Sequence, residues 1–249
     1  MANVGKGVAL IVIPSGLNAA LSLKDLLGLA EEFESAAIDP DIAVIVMSGP
    51  PGTFCAGGDI ADFLRCGDLD ELESVVKRFF RALIGGEKPM IAAVDGPAIG
   101  LGMTMLLHFD AVYASPTSSF VAPFGDLGLV PEAASTLLAP TRFGHLRAFD
   151  LLCNGRSLSA QQAMNIGLVT DVTNPDDVLE QSLAVARRLT RKPRAALFAT
   201  RRLLRGDRDE VARRIDAETQ QFRSQLEDAA TARRLGRLSK RIQIQAVAA

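Results

Sequence analysis

Residues 48–63 read SGPPGTFCAGGDIADF: an apolar strand gives way to prolines and glycines, and IADF resumes a helical pattern. Gly57 and Gly58 admit backbone conformations and close approaches that a Cβ forbids. Amide N–H groups at such a loop-to-helix junction point outward, and the helix start adds positive potential, so a developing negative charge finds stabilisation there. The plainer alternative is a turn capped by Asp59 ahead of a short helix. A phosphate-binding loop fits poorly, because there is no Gly-Lys-Ser/Thr ending and no GxGxxG spacing.

A second turn of the same kind follows. The strand MIAAV runs into DGPAIGLGMTMLLHFD, where Gly100 and Gly102 flank Leu101 and leave space around a backbone amide at the start of an apolar helix. Two N–H donors from different loops can converge on one carbonyl oxygen, and losing one such donor costs an enzyme on the order of 3 kcal/mol of transition-state stabilisation. The alternative is that Gly100 and Gly102 serve close packing of helix on sheet.

Among the carboxylates, Glu132 in LGLVPEAAS has apolar neighbours in Leu129, Val130, Ala133 and Ala134. Desolvation there disfavours the charged form and is expected to raise its pKa, which suits a proton shuttle. Its position after Pro131 and before AASTLLA also fits a first-turn glutamate stabilised by a helix dipole. Asp126, in FGDLG, is the nearest rival, and Asp59 reads as a helix cap. Cys55 lacks a Cys-His-Asn arrangement, His108 sits in an apolar helix as a core residue, and His145 begins the next helix.

These residues need strands and helices to position them. Strand-like runs occur at 8–13, 42–48, 90–94, 111–114 and 168–172, and helical spacing at 23–37 and 69–84, which together favour an α/β core. Residues 101–108 are apolar on nearly every side and should form a buried helix. From about residue 176 the pattern is wholly helical, over 178–189, 195–204 and 208–226, so the best division is 1–175 as core and 176–249 as a helical region packed on the core or on a neighbouring subunit.

With 48% hydrophobic and 22% charged residues, the 249-residue chain should fold as one catalytic unit with a sizeable core. The net charge of −2 gives no global attraction to nucleic acid, and the arginine-rich stretch 201–241 has no tryptophan and no aromatic platform beside it, so no nucleic-acid partner is expected. Three cysteines and two histidines form neither a disulfide framework nor a metal cluster. That usage, with no long signal region or membrane span, reads as a cytoplasmic protein with no membrane partner.

PPGTFCAGGDIADF resembles the FxAGxDI segment of the enoyl-CoA hydratase/isomerase (crotonase) family, and AAVDGPAIGLGMTMLLHFDAVYAS resembles its A-V-x-G-x-A-x-G-x-G segment. The likeness continues through SSFVAPFGDLGLVPEAAS and FDLLCNGRSLSAQQAMNIGLVTDV into the helical tail. It implies a crotonase (ClpP/crotonase-like) fold, a ββα superhelix with C-terminal helices, assembled as a homotrimer or hexamer. It implies oxyanion amides at Gly58 and Leu101, a coenzyme A pocket bordered by Ala56, Gly57, Asp59, Ile60 and Gly100, and no cofactor, since coenzyme A arrives as the substrate thioester. The two glutamates of the family's hydratases fall on Thr104 and Phe124, whereas Glu132 matches the single glutamate of the monofunctional peroxisomal-type delta-3,delta-2-enoyl-CoA isomerases.

The resemblance therefore implies double-bond isomerisation in fatty-acid metabolism, with Glu132 moving a proton between C2 and C4. Hydration or thioester hydrolysis, with Asp126 positioning water, is the alternative, followed by a noncatalytic acyl-CoA or RNA-binding member of the family. Phe120, Val121, Phe124 and Met103 offer apolar surface for an acyl chain or for the core. The lysine that many members carry after the aspartate is Ala61 here, which leaves Lys240 or Arg241 of an adjacent subunit as candidates for the coenzyme phosphates.

Overall fold

The fold is described here from a computed structural model covering residues 1–14 and 19–237. In chain order it contains β1 (Ala2–Asn3), β2 (Val8–Val12), α1 (Leu23–Ile38), β3 (Val44–Ser48), α2 (Ile60–Cys66), α3 (Leu69–Gly85), β4 (Met90–Val94), β5 (Pro97–Ile99), α4 (Leu101–Thr104), β6 (Ala111–Ala114), β7 (Ser119–Val121) and α5 (Phe124–Leu127). It continues with α6 (Ser135–Phe143), α7 (His145–Leu152), β8 (Leu158–Ser159), α8 (Ala160–Asn165), β9 (Asp171–Val172), α9 (Val178–Leu189), α10 (Arg194–Arg205) and α11 (Arg208–Glu227).

The main sheet runs β1-β2-β3-β4-β6-β9, parallel throughout except for β1 at its edge. Every residue of β3 and β4 is buried, as expected of parallel strands covered on both faces. The alternation of side chains divides them between two cores. Ile45, Met47, Ala92 and Val94 join Leu26, Phe33, Phe79 and Phe80, which belong to α1 and α3, while Val44, Val46, Ile91 and Ala93 meet Val178, Leu183 and Ala186 of α9.

Three short strands, β5-β7-β8, form a second sheet set off from the first. At two or three residues each they are too short to show a period of two in the sequence. β5 nevertheless matters, because it joins β4 to the second glycine turn.

The structure redraws some expected boundaries. The strand expected over 168–172 is confined to Asp171–Val172, because the amides of Leu168 and Val169 turn back to the Ala163 carbonyl at the end of α8. The single helix expected over 101–108 is α4 followed by a tighter 3₁₀ turn over Met105–His108. Among the described residues, no helix is long and apolar enough to cross a membrane.

Within the single chain, α10 and α11 contact the core. Arg201 of α10 donates to Asp110 at 2.7 Å and to the Gly86 carbonyl at 2.9 Å. α11 buries Ile215 and Phe222 in the larger core and ties to α3 through Arg81 with Asp216 and Arg223 with Glu73.

Candidate active site

The first glycine turn is stitched to two neighbours. Cys55 receives the Ile99 amide at 2.8 Å on its carbonyl and donates its own amide to Pro97, which fixes the loop along β5. Ala56 donates to Ala19, Leu21 donates to Gly57, and Asp59 donates to Leu21. The Gly57 amide lies 3.4 Å from the Cys55 sulfur. In this run the Gly58 N–H alone has no acceptor among the described residues.

Gly57 sits at φ 93, and a Cβ there would lie 2.9 Å from the Ile99 oxygen and 3.7 Å from the Leu101 nitrogen. The two turns are therefore in van der Waals contact, and only glycine fits between them. On the second turn, Gly100 accepts the amides of Met103 and Thr104, leaving Leu101 as the first residue of α4. The Leu101 N–H is one of the amides a helix start leaves free, and it too has no acceptor among the described residues. Gly102 closes the contact, since a Cβ there would be 2.5 Å from the Cys55 carbonyl oxygen. Two unused amides thus flank the contact between the turns, an arrangement suited to a carbonyl oxygen that becomes negative.

Asp59 does what a cap does: its carboxylate accepts the amides of Ala61 and Asp62 at the start of α2. Ala56, Asp59, Ile60 and Gly100 remain partly accessible around the two amides. Thr104 is buried and turns its hydroxyl back to the carbonyls of Gly100 and Leu101, and Phe124 is buried in the core. Neither position holds an acid. Met103 and Phe120 are fully buried, and Asp126 is exposed on α5.

Glu132 is 7% exposed, and its carboxylate has no hydrogen-bond partner among the described residues. Burial pushes its pKa up to about 8, with the charge of Glu218 as the second cause. It is not in the first turn of a helix. α6 begins three residues later at Ser135, after Ala133 and Ala134 have both taken left-handed conformations at φ 64 and φ 53. The helix-dipole reading of Glu132 is thereby corrected: the backbone kinks away before the helix starts. Two consecutive left-handed alanines are strained, at of order 1 kcal/mol or more each, and such strain collects at functional sites.

Neighbouring groups place this turn. His108 lies with Nε2 2.7 Å from the Ala133 carbonyl, so this nitrogen carries the proton and donates it. Burial and nearby arginines hold the ring neutral, with its pKa down to about 3. The Cys55 thiol is pushed up to about 12, chiefly by burial, with the charge of Glu132 contributing. The raised pKa leaves the thiol inert as a nucleophile.

Glu218 was not anticipated from the sequence. It is buried, lies on α11, and accepts from Thr136 just after the strained turn. Only its spacing along an amphipathic helix could have marked it as inward-facing. Lys240 and Arg241 fall outside the described residues. Among those described, no group of three His, Cys, Asp or Glu side chains is placed to hold a metal.

The family described as enoyl-CoA hydratase/isomerase matches over residues 3–238. A solved enoyl-CoA hydratase/isomerase from Pseudoalteromonas atlantica superposes with a TM-score of 0.89 at 36% identity, over 96% of each chain. The 2,3-dehydroadipyl-CoA hydratase of Escherichia coli is 35% identical over 77% of this chain and 73% of its own. The mouse peroxisomal enoyl-CoA delta isomerase 3 is 33% identical over 61% of this chain, and the match spans only half of that relative's length. The solved neighbour carries the crotonase fold inferred from the motifs, and the family match runs through both glycine turns and the Glu132 turn, so the chain belongs to the enoyl-CoA hydratase/isomerase family.

Proposed function

We propose that this protein is a delta-3 to delta-2 enoyl-CoA isomerase that uses Glu132 as its base. The observation that carries the reading is one buried, unpartnered carboxylate whose charge contributes at Cys55, on a turn bearing a free amide, with Thr104 and Phe124 at the two positions where a hydratase needs acids. In this scheme the amides of Gly58 and Leu101 donate to the thioester oxygen. Glu132 takes a proton from C2, the electron pair spreads onto that oxygen and through the double bond to C4, and the same carboxyl returns the proton at C4, leaving the double bond between C2 and C3. Nothing is added or lost, so one group suffices. Coenzyme A enters as part of the substrate, along Ala56, Gly57, Asp59, Ile60 and Gly100.

A Glu132→Gln variant should bind acyl-CoA with little change and lose C2 proton exchange by about 10²–10⁴-fold. Exchange at the wild-type rate would remove Glu132 from this role. Because the base acts only when ionised, kcat/KM should rise with pH until the carboxyl titrates near 8, and a profile flat from pH 6 to 9 would contradict it.

Hydration is the second reading, favoured by the likeness to the dehydroadipyl-CoA hydratase. Product identification from 3-enoyl-CoA and 2-enoyl-CoA side by side separates the two, since a hydratase forms 3-hydroxyacyl-CoA. The reading also includes a place in fatty-acid metabolism and a homotrimer or hexamer. Leu146 and Phe149 on α7 and Leu203 and Leu204 on α10, all exposed in the single chain, support the assembly.

A further inference from the structure

α11 passes beside the turn that carries Glu132. From it, Glu218 directs Oε1 to the start of α6, where Thr136 donates its N–H at 2.9 Å and its hydroxyl at 2.5 Å. The other oxygen, Oε2, is buried with no partner among the described residues. Directly before the start of α6 lie Ala133 and Ala134, whose left-handed conformations persist only where the surroundings impose them.

We propose that Glu218 is a positioning residue for Glu132: from α11 it holds the start of α6 at Thr136, directly after the Ala133–Ala134 turn, and sets a second carboxylate beside the base. The inference rests on Glu132 as the base. Oε1 takes both Thr136 donors, Oε2 takes none among the described residues, and Arg214 donates to the Thr136 hydroxyl at 3.1 Å.

The charge of Glu218 is a cause of the raised pKa of Glu132, and burial pushes Glu218 itself up to about 7 against the pull of its Thr136 donors. The other titratable or charged groups around the pair are Arg214 on α11, the Cys55 thiol on the first glycine turn, and the neutral His108 behind Ala133. Two such acids do not ionise independently, so the loss of a proton from one makes loss from the other harder.

The test uses the full chain with ¹³C-labelled glutamate carboxyls, the Glu132 signal being identified by its disappearance in Glu132→Gln. In Glu218→Gln, which keeps an acceptor for Thr136 but removes the charge, the Glu132 titration should move to lower pH. In Glu218→Ala, which removes the brace as well, kcat for 3-enoyl-CoA should fall roughly tenfold to a hundredfold with KM changed less than about twofold. Glu218→Gln should restore most of that kcat while keeping the displaced pH limb.

A Glu132 titration in Glu218→Gln that superimposes on wild type would overturn the proposal, as would full kcat in a folded Glu218→Ala. If the wild-type enzyme turns over no 3-enoyl-CoA, the isomerase reading fails. The carboxyl titration then still decides whether Glu218 acts on Glu132.

Discussion

Glu132 is costly to the fold, because burial disfavours its charged form. In an unfolded chain a glutamate loses its proton near pH 4.3, whereas in the native protein Glu132 keeps it until about 8. Between those values the unfolded state binds fewer protons than the native state, so stability falls as pH rises through that window and is fully retained below it. Glu132→Gln should therefore raise the melting temperature at pH 8 and change it little at pH 5, and an equal change at both would mean that the carboxyl is not held protonated. Gly102 is the converse case. Gly102→Ala drives a Cβ against the Cys55 carbonyl oxygen, which should part the two turns and lower kcat about a hundredfold, with a stability loss of about 1–3 kcal/mol by thermal denaturation. The apolar company of Glu132 was legible in LGLVPEAAS. The left-handed alanines were not, because alanine has no preference for that conformation and only its surroundings impose it.

At the scale of elements, the parallel strands announced themselves because burial on both faces requires nearly continuous apolar residues, as in VIVMS and MIAAV. The second sheet gave no such signal, since its strands are shorter than one full alternation. The glycine turns were legible as strand, glycine and helix in succession, while their mutual contact depends on β5 and emerges only in three dimensions. Pairings between distant segments were equally hidden. Arg201 of α10 is 5% exposed and joined to Asp110 at the edge of β6. Replacing it with leucine removes this pair and the donor to the Gly86 carbonyl while Asp110 keeps the Met90 N–H, so stability should fall by about 1 kcal/mol in chemical denaturation, where no measurable change would mean that the pair is merely superficial.

For the whole molecule, the single chain leaves Leu146, Phe149, Leu203 and Leu204 in water, and their burial between copies accounts for them in the proposed oligomer. Sedimentation equilibrium should give a mass at least three times that of one chain, and Phe149→Lys should shift it toward the monomer. A wild-type monomer would contradict the assembly. The brace on Glu132 has its own consequence for how the site comes into being. During synthesis, every described strand, both glycine turns and Glu132 itself emerge from the ribosome before α11 does. A nascent chain that has reached α10 already holds the parts of the proposed oxyanion site, but the proposed base becomes fully organised only once Glu218 has followed it out.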